Sequence, residues 1–487
     1  MRRLFLTLLF SLIANAALAQ NPTCPTRPPG QNDNSCASTA FVQNLSPLNI
    51  MAFGGDPTNT NDNTTAFNNA ITARTTTAQC IKFPSGKYKF NSGITVSGSF
   101  CGFGDGQDNT ILTWPNAAGG ITVNYAGAAS SVHIRDMTLT TGTTTGGNCL
   151  NLQNSVSNAN PAVTAISDVF RVTCRGDDGY AVTDFWTTGL NIGNVSNIQI
   201  ETFSVFGAST PNGTGIALIG LPGSSTYGVQ YNIAKSTLGN LTTGVSYGSF
   251  IQGVTIDQTN FTSDTNGISI PAAQSGVLAQ LAITNSQFNV SGTGIVFSTT
   301  ITEPLITNNL FIQRANSTAI NIGVATDYTI TGNAITASSV TGTNGIITNG
   351  AIGTISGNVI AGFATGLTMQ SSTTITVVSN NSFSANTVAI SSAAGAVSNG
   401  IFTNPGFNPV GPAAITVTAS PFTYTAGASP ESVYIFSGTV SAVTFDKNGG
   451  GLGTVACGAS PCMVELSPWD QVKVTYTVAP SMNKMIH

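Results

Sequence analysis

Short apolar blocks recur down the middle of this chain at a nearly fixed spacing, and that repeat constrains the fold more than any other feature. The blocks are six residues long with an apolar first and last position: IRDMTL, IQIETF, IAKSTL, IDQTNF, ITNSQF, ITNNLF, ITGNAI, ISGNVI and VSNNSF. From Phe261 the closing residues run Phe288, Phe311, Ile335, Ile360 and Phe383, at intervals of 27, 23, 24, 25 and 23. A second block follows each, as in TGIAL near Ile216, TGVSY near Val245, NGISI near Ile268 and TGIVF near Ile295. A fixed period of this size marks a repeat architecture. The blocks are rich in Ile, Val, Thr and Phe and are separated by Gly, Asn and Ser, so they read as strands. A coil of this length holds two clear strands with room for a third. The expectation is an all-β chain built as a right-handed parallel β-helix, whose coils bury their apolar faces by stacking. The closing column from Phe261 to Phe383 should point inward. Within the first block, Asn309, Asn333, Asn358 and Asn381 share a column with Ser286 before them. This predicts a stacked Asn ladder at a tight turn, where Asn tolerates the left-handed conformation.

Only 7% of residues are charged, with 19 acids against 15 bases, where about 25% is usual. No basic field is available for nucleic acid. Thr, Asn, Ser and Gly interrupt every apolar run beyond the N-terminus, so no membrane span is expected there. Residues 1–19 have a basic start, an apolar stretch and Ala17-Leu18-Ala19, the pattern of a secretory signal peptide. The expected location is outside the cell or on its surface, with the periplasm as the alternative. Eight cysteines in an exported chain suggest disulfides. The local pairings are Cys24–Cys36, Cys80–Cys101, Cys149–Cys174 and Cys457–Cys462. The second and third are 21 and 25 residues apart, close to one coil. The only histidines are His133 and His487, and no paired Cys-x-x-Cys motif indicates a metal site.

Residues 20–47 read as an irregular arm and 48–403 as the β-helix, with a polar helix-capping signal at Asp62-Asn63-Thr64 before Ala66, Phe67, Ala70 and Ile71. The helix near 63–73 would cover the open end of the solenoid. After residue 404 the repeat stops. Strand-like runs with better alternation, from ITVTA to QVKVTYTV, predict a small antiparallel β domain over 404–487.

Phe53-Gly54-Gly55, Asp62, Pro84 to Tyr88 and Gly102-Phe103-Gly104 resemble the N-terminal pattern of the pectate-lyase-like superfamily, in the branch of rhamnogalacturonases, epimerases and phage tailspikes. With the coils, the resemblance spans about 350 residues and implies the fold more than an activity. Thr26 to Gly30 and Ala37 to Gln43 also look like a segment of phage tail fibres and tailspikes.

Charge concentrates at 168–186, which holds Asp168, Arg171, Arg175, Asp177, Asp178 and Asp184 together with Tyr180, Phe185 and Trp186. Glu201 lies one coil later, with Arg135 and Asp136 one coil before. Arg175-Gly176-Asp177-Asp178-Gly179 is similar to the adjacent-aspartate motif of polygalacturonases, which implies an acid and a base at Asp177 and Asp178. The Gly-His-Gly and Arg-x-Lys motifs of that family have no counterpart here. The catalytic candidates are Asp177, Asp178, Asp184, Glu201 and Arg175; the substrate-binding candidates are Tyr180, Trp186, Arg171 and Asp168, the aromatics stacking on sugar rings. Gly-Asp-Asp-Gly reads equally as a turn whose Asp side chains satisfy backbone donors. A calcium-assisted lyase, with Arg171 or Arg175 as base, is a further reading. Asp257 and Asp264 read as isolated turn acids. The expected function is an exported hydrolase or lyase of an acidic or pectin-like glycan. The alternative is a non-catalytic carbohydrate-binding spike, adhesin or scaffold. A Thr/Asn/Ser surface on the later coils suits self-association, with a homotrimer as the expected assembly.

Overall fold

The computed structural model describes residues 47–486, apart from 75, 77–78, 117–118, 157–163, 221–226, 273, 276–277, 315–316, 339–341, 349–351, 371–374, 393–396, 400–402, 408–411, 429, 448–450, 452 and 456–460. The expected signal peptide at 1–19, nearly all of the expected arm at 20–47, and Cys24, Cys36 and Cys457 lie outside the described residues.

Parallel strands wind into a right-handed β-helix with three walls. The third wall is one twelve-stranded parallel sheet, from Ile94–Ser97 to Val388–Ser392. The first and second walls meet at a corner. Strands Val132–Thr141 and Ser167–Gly176 run through that corner and serve both, since Val132 to Arg135 pair with Phe100 to Phe103 while Thr138 to Thr141 pair with Ile111 to Trp114.

From Ile198 on, each six-residue block is thus not one strand but two ends meeting at this corner, whereas IRDMTL lies within the continuous strand Val132–Thr141. Ile256 is the last inward residue of the first-wall strand Ile251–Asp257, and Phe261 sits in the second-wall strand Asn260–Thr262. The apolar ends point inward from different walls, and the polar middle makes the bend. One residue per coil takes a positive φ there: Asp136, Arg171, Thr202, Lys235, Gln258, Asn285, Asn308, Gly332, Gly357 and Asn380. The ladder asparagines follow this position and do not themselves take the left-handed conformation. Asn309, Asn333, Asn358 and Asn381 are buried. Each Oδ1 accepts from the backbone N–H of the preceding coil, as from Asn309 N to Asn333 at 2.9 Å, and each Nδ2 donates to a carbonyl such as Ile306 O at 3.0 Å. Asn404 continues the ladder beyond the predicted four, and Ser286 begins it by accepting from Thr259 N.

The predicted inward column holds. Phe261, Phe288, Phe311, Ile335 and Ile360 are fully buried and Phe383 nearly so. They pair in register, and the rings of Phe261, Phe288 and Phe311 stack at 4.5 Å. This column explains the glycine of the second block. A Cβ on Gly267 would lie 2.6 Å from the Phe288 ring and 2.5 Å from Gly294 O. The third wall gives up a side chain there so that the second wall can place a large one.

The helix spans Thr64–Ala73 and buries Ala66, Phe67 and Ala70. Phe67 packs against Phe83, Phe90 and Phe100 of the first coils. Asp62 caps it, accepting from Thr64 N at 3.1 Å, while Asn63 turns inward to bond Asp56 N and Lys89 O. Downstream, two four-stranded antiparallel sheets enclose their own core of Val433, Ile435, Val464, Val472 and Val474. A final strand, Ser481–Ile486, pairs with Ala413–Ile415 and Glu431–Phe436; the sequence reading stopped short of it. Among the described residues no helix is long and apolar enough to cross a membrane.

Two of the predicted disulfides form. Cys80–Cys101 joins adjacent coils of the first wall at a Cα separation of 4.5 Å. Cys149–Cys174 links the third wall to the second across the core, which accounts for the different strand offsets of the two cysteines. Cys462 is disulfide-bonded.

Candidate functional site

The charged segment leaves the second wall at Gly176 and loops out before rejoining the third wall at Thr188. Asp177 N donates to Thr141 O, Gly146 N to Phe185 O, and Ser209 N to Val182 O, so the loop is tied to coils on either side. Thr140 bonds Asp177 of this loop and Thr138 bonds Asp108, and both threonines are fully buried although they face away from the solenoid core.

Asp177 is held at the base of this loop. Lys87 Nζ, from an early coil, lies 2.7 Å from its Oδ1 and 2.9 Å from its Oδ2, and Thr140 Oγ1 donates at 2.8 Å. Burial acts to raise this carboxyl, but the Lys87 and Thr140 bonds outweigh it and hold it below the ordinary range. Asp178 accepts from the backbone N–H groups of Thr183, at 2.9 Å, and Asp184. The turn reading of Gly-Asp-Asp-Gly therefore describes the local bonding of Asp178. Asp184 behaves in the opposite way to Asp177: burial, then the charges of Asp178 and Asp177, push its carboxyl above the ordinary range. Three carboxyls meet here, and the fold drives two of them in opposite directions.

Beside them sits a second group. Arg175 lies under the Tyr180 ring at 4.9 Å and donates to Gly176 O and to Asp108 Oδ1 at 3.1 Å. Tyr180 OH donates to Asp108 Oδ2 at 2.5 Å, and its ring meets Phe206 edge-on at 5.0 Å. Burial would raise Asp108, but Tyr180 and Arg175 together keep it low. Lys87, Asp108 and Phe206 were not among the predicted site residues. Lys87 and Asp108 stand 90 and 67 residues before their partners Asp177 and Arg175, and no local motif carries such pairings.

Several predicted site residues stand elsewhere. Trp186 is 1% exposed, packs on Trp114, and donates from Nε1 to Leu139 O. It is a core residue that presents no ring to a ligand, because the chain turns inward as it rejoins the third wall. Arg175 has a largely buried side chain committed to three partners and is not free to act as a base. Glu201 lies on the first wall, paired with Lys235 at 2.7 Å. Arg171 occupies the corner, 2.6 Å from Asp136. Asp168 is also on the first wall, where His133 Nδ1 at 2.5 Å and Arg135 Nε at 2.7 Å converge on it. Burial opposes ionisation of Asp168, but these two partners lower its pKa to about 2. Asp264 lies in the turn between the strands Asn260–Thr262 and Asn266–Ile270, and it is fully buried there. For calcium, no three Asp, Glu, His or Cys side chains among the described residues gather in a way that would hold an ion.

No protein-family model and no curated protein matches this chain. Solved structures do. Tailspike protein 3 of bacteriophage CBA120 aligns over 86% of this chain and 72% of its own, at 16% identity and a TM-score of 0.54. The N-terminal fragment of bacteriophage Phi29 gene product 12 aligns over 74% and 71%, at 12% identity and a TM-score of 0.52. The catalytic unit of a GH87 alpha-1,3-glucanase from Streptomyces thermodiastaticus aligns over 75% and 69%, at 14% identity and a TM-score of 0.53. At such identities the likeness is one of fold. The chain is a right-handed parallel β-helix protein of the architecture that the N-terminal pattern resembled.

Proposed function

We propose that this protein binds a glycan over the 177–187 loop and hydrolyses it, with Asp184 as general acid and Asp177 as the ionised partner. The observation that carries the reading is the gathering of carboxyls at one loop, Asp177 held by Lys87 and Thr140 while Asp184 stands beside two other acids, which displaces Asp177 downward and Asp184 upward. Such a pair suits acid and base roles at one pH. In the reaction, Asp184 gives its proton to the glycosidic oxygen as the C–O bond breaks. A water attacks the anomeric carbon and its proton passes to Asp177. Asp178 shapes the loop, and its charge adds to the burial that raises the Asp184 carboxyl. Tyr180 and Phe206 offer aromatic surface for a sugar ring.

With Asp184 protonated, Asp108, Asp177 and Asp178 still outnumber Lys87 and Arg175. This excess of negative charge favours an uncharged or lightly charged glycan over the acidic, pectin-like one expected from sequence. A glucanase and a phage tailspike share the fold, which supports the reading at the level of class. The non-catalytic alternative draws support from one observation: Asp177 is bound up with Lys87 and Asp178 with backbone amides. Export, self-association as a homotrimer and the division at residue 404 stay within the proposal; light scattering and limited proteolysis of exported protein test the last two.

The deciding experiment incubates purified protein with a panel of neutral and acidic polysaccharides. New reducing ends without unsaturated products, lost in Asp184→Asn, support hydrolysis. Unsaturated products would make it a lyase, and binding without any cleavage would establish the spike or adhesin reading.

A further inference from the structure

A separate cleft opens on the outer face of the first wall. It has a volume of about 520 Å³ and is lined by the Cys80–Cys101 disulfide, Phe103, Ser131, His133, Arg135 and Asp136, among others. That size falls within the range of about 300–1,000 Å³ usual for small-ligand sites. Its polar groups are arranged from behind. Asp168 stands one coil on, in register with His133, and does not line the cleft. It receives His133 Nδ1 on one oxygen and grips Arg135 through Nε at 2.7 Å and Nη2 at 2.8 Å. A carboxylate on Nδ1 fixes the imidazole orientation and the tautomer. Nε2, on the far side of the ring from Asp168, is then the lone-pair nitrogen. Arg135 Nη1 has no protein partner among the described residues.

The charges around the cleft cancel in pairs. Arg135 is matched by Asp168 and Arg171 by Asp136. Arg135, the one arginine or lysine among the residues lining the cleft, is thus already matched and offers no unbalanced charge to an anion. What remains is an acceptor at His133 Nε2, a donor at Arg135 Nη1, the Ser131 hydroxyl, and apolar surface from Phe103 and the disulfide. Hydroxyls that both donate and accept, carried on a ring with C–H faces, match that set.

We propose that this cleft is a second saccharide site, which takes one or two neutral sugar units with a hydroxyl donating to His133 Nε2 and an oxygen accepting from Arg135. The site rests on the carbohydrate part of the function proposed above and is independent of the hydrolytic part. It lies on a different wall from the Asp177 loop and would anchor the glycan away from the bond being cleaved.

The test uses the whole protein labelled with ¹⁵N-histidine. The chain has two histidines, so the two imidazoles give two separable sets of signals. Long-range ¹H–¹⁵N spectra should show His133 with its proton on Nδ1. Titration with maltose, cellobiose and nigerose should shift the His133 Nε2 signal saturably for at least one probe and leave His487 unmoved. Asp184→Asn should give the same shift, which separates failure of this site from failure of the hydrolase reading. Arg135→Gln, at a half-exposed side chain, should weaken the response at least tenfold while the His133 tautomer persists. A proton on Nε2, no response to any neutral disaccharide, a response to digalacturonate only, or equal movement of His487 would each overturn the proposal.

Discussion

Replacing Asp264 with asparagine should stabilise this protein, and by more at neutral pH than in acid. Asp264 is fully buried; its Oδ1 accepts from Leu241 N at 2.8 Å, while Oδ2 has no partner. Burial pushes the carboxyl well above its ordinary value of 3.8, against the bond from Leu241. The same solenoid position recurs at Asn386, three residues after Phe383 as Asp264 is three after Phe261. There the Oδ1 accepts from Phe363 N at 2.9 Å and the Nδ2 donates to Ile360 O at 2.8 Å. Leu238 stands to Asp264 as Ile360 stands to Asn386, since both pair with the column residue of the next coil. An amide at 264 therefore has a carbonyl waiting. Satisfying one orphaned buried polar atom is worth about 1–3 kcal/mol. Titration adds to this. A carboxyl raised in the fold contributes fully below its unfolded pKa, and that contribution is lost as pH rises from about 4 through the folded pKa, at about 1.4 kcal/mol per unit of displacement. Denaturant unfolding of wild type and Asp264→Asn at pH 4 and pH 8 reads both terms. The variant should gain at least about 1 kcal/mol at pH 8 and show a flatter pH dependence. Equal pH dependence in the two proteins, or destabilisation at pH 8, would refute the reasoning.

Other expectations follow from the same packing. Asn333→Leu strips bonds from Asn309 N and Ile306 O and should cost about 3 kcal/mol or more, read from the denaturation midpoint; a loss under about 1 kcal/mol would contradict the ladder's role. Gly267→Val forces a side chain onto Phe288 and Gly294 O and should abolish soluble expression, whereas normal yield and Tm would show that the walls can part. Trp186→Ala should lower stability by about 3–5 kcal/mol and leave glycan affinity of the folded protein unchanged; selective loss of affinity would restore Trp186 to the binding surface. Asp177→Asn should reduce turnover at least about a hundredfold, with wild-type rates placing the base elsewhere.

The solenoid could be read from sequence because each coil repeats one local pattern, and stacking turns that pattern into a column. Phe261 through Phe383 needed only their spacing. The corner was harder to see, since the left-handed position is held in turn by Asp, Arg, Thr, Lys, Gln, Asn and Gly, and no single residue type announces it. The final strand at Ser481–Ile486 contains Asn and Lys and alternates weakly, so composition hid it. At the candidate site, local signals grouped Asp177, Asp178, Tyr180 and Asp184 because one loop carries them, with Arg175 at the end of the strand that leads into it. They missed Lys87 and Asp108, whose meeting with that loop depends on how many coils lie between. They misplaced Trp186 because an aromatic beside charged residues looks like binding surface until the inward turn at Thr188 is known.

A pH–rate profile of kcat/KM for wild type and Asp184→Asn, on whichever glycan the panel shows to be cleaved, tests the central claim most directly. For wild type the rate should fall as pH rises through a pKa above the ordinary carboxylate range, where Asp184 loses its proton. Asp184→Asn should lose at least about a hundredfold in rate and lack that alkaline limb. A variant that keeps wild-type turnover and the same profile would show that the acid is another residue and that the carboxyls beside the 177–187 loop serve only to shape it.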